Sequence, residues 1–221
     1  MMYKDREEAG DELARVLQDY KNDESTLVLA IPRGGAVIAS RISKALGIPW
    51  DFVVPKKIGA PHNPELAIGV VMQDGSVIVN ENARFFLEVN ESYLQQEKQR
   101  LYKEIQRRMQ LYRKDRPYPE LKDKRIILTD DGIATGFTVK GAIKFIRNKN
   151  PREIILAVPV AAPESLEELE PLVDRVVCPL RPRMFYAVGQ FYEDFSQTTD
   201  EEVIRLFEKD SKGYDNLPSD K

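Results

Sequence analysis

Cysteine and histidine each occur once in the 221 residues. With Cys178 alone, no disulfide can close within the chain, which agrees with a reducing compartment. Cys178 lies in the apolar run Arg175 to Leu180 and reads as a small buried hydrophobe rather than a nucleophile. No apolar run is long enough to span a bilayer, and Met1-Met2-Tyr3-Lys4-Asp5 lacks the pattern of a signal peptide. The expectation is a soluble, cytoplasmic protein. Neither sign of charge dominates: the net charge is −3, which carries no global nucleic-acid signature. Two phosphate signatures are also missing. A P-loop ends in Gly-Lys-Ser/Thr, and Phe137 stands where that Lys would be; no Gly-x-Gly-x-x-Gly follows a strand.

What is present is an alternation of apolar runs and amphipathic stretches. Leu13, Val16, Leu17 and Tyr20 recur at helical spacing between Asp5 and Tyr20. Thr26 to Ile31 is a continuous apolar run suited to a buried parallel strand, followed by a helix from Ala36 to Leu46 that Gly47 and Pro49 stop. Asp51 to Pro55, Arg125 to Thr129, Glu153 to Val160 and Arg175 to Leu180 read as further strands, and Val139 to Ile146, Ser165 to Leu169 and Glu201 to Lys209 as helices. Strands alternating with helices imply an α/β fold: one domain over 1–221, with a central, mostly parallel sheet of about five strands and helices on both faces. The segment 70–119 is expected to be an insertion. Its hairpin turns at Asp74-Gly75, a short helix follows near Asn82 to Val89, and a capping box at Ser92-x-x-Gln95 opens a long helix from about Tyr93 to Lys114. Ile58 to Gly69, rich in Gly and Pro, reads as a long loop, and 212–221 as a disordered tail.

The most informative stretch runs from Arg125 to Thr138. An apolar strand ends in Asp130-Asp131, and Gly132-Ile133-Ala134-Thr135-Gly136-Phe137-Thr138 leads into a helix. Unpaired amides at a helix start and the helix dipole favour an anion, and the two glycines let the backbone curl around it. Thr135 and Thr138 can add hydroxyl donors. The carboxylates must face something other than phosphate, and the vicinal hydroxyls of a sugar fit, with Mg²⁺ nearby. In an open parallel sheet ligands bind beyond the carboxyl ends of the strands. Two basic turns share that edge: Arg33-Gly34-Gly35 after one strand, and Lys56-Lys57 after the next. Alone each is weak, since adjacent lysines commonly mark a solvated strand end and Arg-Gly-Gly is a common turn.

Asp130-Asp131 followed by Thr135-Gly136-Phe137-Thr138 resembles the phosphoribosyl-pyrophosphate (PRPP) loop of the type I phosphoribosyltransferases. Lys57-Ile58-Gly59-Ala60-Pro61, Asn63 to Gly69 and Phe191 to Val203 resemble a poorly characterised phosphoribosyltransferase-like family of bacteria and archaea, so the likeness covers nearly the whole chain. The resemblance implies that Asp130 and Asp131 contact the ribose hydroxyls and, through PRPP, Mg²⁺. It implies that Gly132 to Thr138 hold the 5-phosphate, and that Arg33, Gly34, Gly35, Lys56 and Lys57 face the pyrophosphate. The reaction implied is transfer of the phosphoribosyl group to a nitrogenous acceptor, such as a nucleobase, with release of pyrophosphate. The expected partners are PRPP and a small acceptor, with no membrane, nucleic acid disfavoured, and a homodimer left open.

One departure matters. Hypoxanthine-guanine enzymes of the family carry an Asp base in this loop, where this chain has Ala134. If a base is needed it must come from outside this loop; Glu65 is the candidate, on the segment Gly59 to Gly69 that is expected to close as a lid over PRPP, against the simpler role of holding that loop. His62, on the same loop, reads as a surface residue. A hood built from the N-terminal helix, the long loop and the segment after Leu180 would select the acceptor, with Arg181, Arg183, Phe191 and Tyr192 as lining. The basic region Lys98 to Arg125 reads as a solvated helix face with salt bridges. The alternative is a PRPP-sensing regulator contacting nucleic acid or another protein.

Overall fold

The computed structural model describes residues 2–211, with the side chain of Glu65 outside the described set. The tail expected to be disordered also lies outside the described residues. The chain opens with α1 (Arg6–Val16), β1 (Thr26–Ala30), α2 (Gly34–Leu46) and β2 (Trp50–Phe52). It continues through β3 (Lys56–Ala60), β4 (Asn63–Val71), β5 (Val77–Val79), α3 (Glu81–Phe86) and α4 (Glu91–Arg113). It then returns to alternation with β6 (Arg125–Thr129), α5 (Phe137–Arg147), β7 (Glu153–Ala157), α6 (Pro163–Leu169), β8 (Arg175–Val177) and α7 (Asp200–Ser211).

Five strands form a parallel sheet in the order β2-β1-β6-β7-β8. Its strands are apolar at nearly every position because both faces are covered. Successive residues of β1 go to opposite sides: Val28 and Ala30 join the core under α1, α2 and α7, while Leu27 and Leu29 join the core under α5 and α6. The central strands β1 and β6 pair residue for residue from Thr26↔Arg125 to Ala30↔Thr129. Their carboxyl ends therefore stop level, and the loops that follow them meet at one edge. Among the described residues no helix is long and apolar enough to cross a membrane.

The insertion departs from expectation in two places. Ile58 to Gly69 is not an irregular loop. It forms most of a β3–β4 hairpin, paired from Lys56↔Val71 to Ala60↔Asn63, to which β5 adds a third antiparallel strand. The glycines and prolines read as loop formers occupy irregular or terminal places instead: the register shifts on both sides of Gly59, and Pro61 lies at the hairpin turn. Ile58 and Ile68 are fully buried, so core packing outweighs local propensity here. The antiparallel region thus starts at Lys56, ahead of the expected Val70. The second difference is the start of α4. Asn90, not Ser92, is its N-cap, accepting from the Tyr93 amide at 2.8 Å, while the Gln95 side chain donates to Glu91. The turn at Asp74-Gly75 is as expected, with the Gly75 φ at 79° and Asp74 accepting from the Ser76 amide.

A buried ion pair ties the insertion to the sheet. Arg113, in the last turn of α4, donates from Nε and Nη2 to the two carboxylate oxygens of Asp51 on β2, at 2.7 and 3.0 Å. The guanidinium also donates to the carbonyls of Arg116 and Pro117. Several cations of the basic stretch from Lys98 to Arg125 are paired within the molecule: Arg100 with Glu97, Lys114 with Glu208, and Arg125 with Asp23. Removing one partner of a buried bidentate pair strands the other charge. Arg113→Met is expected to lower unfolding free energy by about 3–5 kcal/mol in urea titration. Adding Asp51→Leu should recover a large part of that loss, because the pair is then replaced by apolar packing.

Candidate functional site

At the end of β6 the chain turns out of the sheet at Asp130 and Asp131. The loop after them is stitched down on one side only. The Ile133 amide donates to the Val160 carbonyl at 2.9 Å, the Ala162 amide donates to the Ile133 carbonyl at 2.8 Å, and the buried Ile133 side chain anchors the turn. Ser165 Oγ donates to the Ala134 carbonyl at 2.5 Å. Gly136, in the left-handed region at φ 66°, is the N-cap residue of α5. The amides of residues 134–138 carry no hydrogen bond within the described residues, and Ala134 and Thr135 are exposed. A curled backbone with open amides at a helix start is an anion cradle. The expected phosphate loop, Gly132 to Thr138, therefore forms one continuous turn next to the acid pair.

The turn after β1 closes against those acids. A Cβ on Gly34 would stand 1.9 Å from Asp131 Oδ2, so only glycine admits this approach. The Pro32–Arg33 peptide is cis. Arg6, in the first turn of α1, donates from Nε to Asp131 Oδ2 at 2.8 Å and from Nη1 to the Ser196 carbonyl at 2.8 Å. Its guanidinium lies 4.0 Å from the centre of the Phe195 ring. Tyr192 Oη donates to the Asp131 carbonyl at 2.6 Å, and the Asp131 amide donates to Asp130 Oδ1 at 2.9 Å. Burial, then the neighbouring Asp131 charge, pushes the Asp130 carboxyl well above the ordinary carboxylate value. Burial also raises Asp131, with Arg6 pulling the other way. Arg6 is the site residue that sequence reading missed: nothing in an Arg within an acidic first helical turn announces a partner 125 positions away.

The two expected lysines separate. Lys57 is exposed on β3, whereas Lys56 is paired with Glu104 of α4 at 2.6 Å. Glu65 lies in β4, and its side chain lies outside the described residues. His62 is exposed at the hairpin turn. The hood needs correction. Phe191 and Tyr192 are buried, Tyr192 stacked on Phe195 and Phe191 tilted against Phe185, and so neither lines an open surface. Arg181 is paired with Glu170 at 2.9 Å. Met184 and Tyr186, 72% and 85% exposed, are the large apolar side chains that this segment presents outward. Burial pushes the Cys178 thiol up to about 11, which agrees with an inert side chain. Among the described residues no cluster of three or more His, Cys, Asp or Glu could hold a metal ion. The donors present, two adjacent carboxylates with one engaged by Arg6, fit an ion that brings most of its oxygen ligands with a substrate, and do not form a cage.

The acid pair makes a prediction about pH. A carboxyl whose folded pKa lies above its unfolded value favours the fold while protonated, and this contribution is lost as pH rises through the folded pKa. Asp130→Asn, neutral at every pH, is therefore expected to melt above the parent protein at pH 8, by about 2–4 °C for each kcal/mol relieved. The gain should vanish below pH ~4, where the parent Asp130 is protonated as well. Arg6→Met should act oppositely, lowering the melting temperature at pH 8 by leaving Asp131 without its counter-ion.

Known proteins share the sequence pattern and the fold of this chain. The family model described as phosphoribosyl transferase domain matches residues 2–196. A provisionally named phosphoribosyl transferase of Mycobacterium tuberculosis is 32% identical over 213 residues, which is 96% of this chain and 48% of that protein. The chain thus spans about half the length of the curated relatives it matches. A crystal structure of a Thermus thermophilus protein superposes with a TM-score of 0.81 at 37% identity, covering 95% of this chain and 99% of that one. An Aquifex aeolicus protein shares the fold at 15% identity and a TM-score of 0.52, covering 83% and 78%. By the family match over nearly its whole length and by the relatives above 30% identity, the chain belongs to the phosphoribosyl transferase family.

Proposed function

We propose that this chain binds PRPP together with Mg²⁺ and transfers the 5-phosphoribosyl group to a nitrogenous acceptor, releasing pyrophosphate. The observation that carries this reading is the contact between the two loops: the acid pair that leads into the open-amide turn after β6 lies directly against the Gly34-Gly35 turn after β1. A sugar phosphate with a pyrophosphate on its anomeric carbon presents a 5-phosphate, a diol and a dense anion to one such edge.

In this reading the amides of residues 134–138 and the hydroxyls of Thr135 and Thr138 hold the 5-phosphate. Asp130 and Asp131 accept hydrogen bonds from the ribose hydroxyls, and their negative charge favours the cation that develops on the ring. The Arg33 turn, Lys56 and Lys57 face the pyrophosphate. The bond from the anomeric carbon to the pyrophosphate oxygen breaks, a carbon–nitrogen bond forms on the opposite face, and the acceptor nitrogen gives up a proton. Mg²⁺, when bound with PRPP, would neutralise charge on the departing pyrophosphate. With Ala134 in the loop, the proton needs another acceptor, and Glu65 on the β3–β4 hairpin is the proposed one. That hairpin is proposed to close over the substrate and exclude water, which competes as an acceptor. A small acceptor would be selected by the hood, where the exposed Tyr186 and Met184 supply apolar surface.

Calorimetry with PRPP and Mg²⁺ is expected to show binding that Asp130→Asn combined with Asp131→Asn abolishes; unchanged affinity in that double variant would refute the ribose assignment. A panel of nucleobases read by pyrophosphate release should single out the acceptor. Tight PRPP binding with no release from any base would favour a PRPP-sensing regulator. Glu65→Gln should lower turnover while PRPP affinity stays within about threefold, under ~1 kcal/mol. Equal turnover would remove Glu65 from the mechanism.

A further inference from the structure

Two buried side-chain polar atoms have no hydrogen-bond partner among the described residues: Thr129 Oγ1, at the end of β6, and Arg108 Nε, on α4. The second has no structural explanation. A buried donor left unpaired is costly, and arginines held only for packing usually find acceptors. Arg108 Nη2 reaches only Glu104 Oε1, at 3.9 Å, and that carboxylate is already held by Lys56 at 2.6 Å.

The surroundings of Arg108 are what make the orphan informative. Glu104, Arg108 and Tyr112 recur at four-residue spacing, so they share one face of α4. At one end of that face Glu104 meets Lys56 of β3. At the other, Tyr112 Oη donates to Asp200 Oδ1 at the start of α7, and Arg33 Nη1 lies 4.0 Å from the same oxygen. Burial and the Asp200 contact push the Tyr112 hydroxyl up, so it remains a donor, while the nearby Arg108 and Arg33 charges pull it the other way. Arg108 thus lies between Lys56, on Glu104 at one end of this face, and Arg33, near Asp200 at the other. Arg33 immediately precedes Gly34, the residue pressed against Asp131.

We propose that Arg108, carried by the inserted helix, is a pyrophosphate-binding residue. Its Nε–H, together with Arg33 and Lys56, forms an anion pocket whose third cation comes from outside the central sheet. The inference rests on the PRPP reading of the same site and assigns to α4 a part in it. A pyrophosphate oxygen would supply the acceptor that Nε lacks and compensate a cluster of three cations and two carboxylates. Guanidinium–phosphate hydrogen bonds are charge-assisted, so the loss of one should be measurable.

The experiment uses three probes: inorganic pyrophosphate with Mg²⁺, PRPP with Mg²⁺, and ribose 5-phosphate. Arg108→Gln is expected to weaken pyrophosphate and PRPP binding by about tenfold or more and to leave ribose 5-phosphate unchanged. Arg107→Gln, the same charge change at the exposed neighbouring position, should leave all three unchanged. In the parent protein the Arg108 Nε–H resonance should shift on addition of pyrophosphate and stay in place with ribose 5-phosphate, a readout that does not require the variant to fold. Parent-like pyrophosphate affinity in Arg108→Gln, an equal loss in Arg107→Gln, or an unmoved resonance at saturating pyrophosphate would each overturn the pocket while leaving the PRPP reading standing. A parent protein that binds none of the three would overturn the PRPP reading, and the pocket with it.

Discussion

Two adjacent carboxylates held largely out of water at the end of a central strand are an electrostatic burden, and much of the local architecture answers it. Asp130 and Asp131 cannot both be comfortably charged where they stand, because burial and mutual repulsion act on them together. The protein supplies one counter-ion, Arg6, and braces it from two sides: the Ser196 carbonyl accepts from it and the Phe195 ring lies against it. Tyr192 then fixes the Asp131 backbone. The N-terminal helix and the segment before α7 are thereby drawn to the same edge of the sheet as the loops after β1 and β6. Charge that is costly in the folded protein and poised beside a turn of open amides marks a candidate functional site.

The second constraint is the attachment of the insertion. The β3–β5 sheet and α4 could have been an independent flap. Instead the end of α4 is tied to β2 through the Asp51–Arg113 pair, and its middle through Glu104 to Lys56. Consequently one face of α4 is held against β3 and α7 rather than left to solvent. That placement sets Arg108 between the ends of a face whose other charges are already engaged.

Reading the chain without its structure recovered the elements of the central sheet because parallel strands covered on both faces must be continuously apolar, and those runs are visible one after another. The acid pair and the turn that follows it were legible for a related reason: strand, carboxylates, loop and helix start are contiguous, so their spatial relation is set within fourteen residues, Arg125 to Thr138. The β3–β4 hairpin was misread because glycine and proline signal breaks locally, whereas burial of Ile58 and Ile68 and pairing with Val70 and Val71 decide the outcome. Phe191 and Tyr192 were misassigned to an open surface because aromatic residues near a site look like lining until their ring partners are known.

By itself, then, the amino-acid sequence determined the alternation of strands and helices, the parallel sheet, and the local cradle after β6, since each depends on periodicity and on neighbours within a few residues. Only the tertiary structure decided which distant charges meet there. Arg6 on Asp131, Lys56 on Glu104 and Arg33 near Asp200 are relations between segments far apart in the chain, and the Arg108 Nε left without an acceptor is a result of how they dock. Side-chain ion pairing has no sequence period. It is set by which elements the two cores bring together, and so it becomes visible only when the helices are docked.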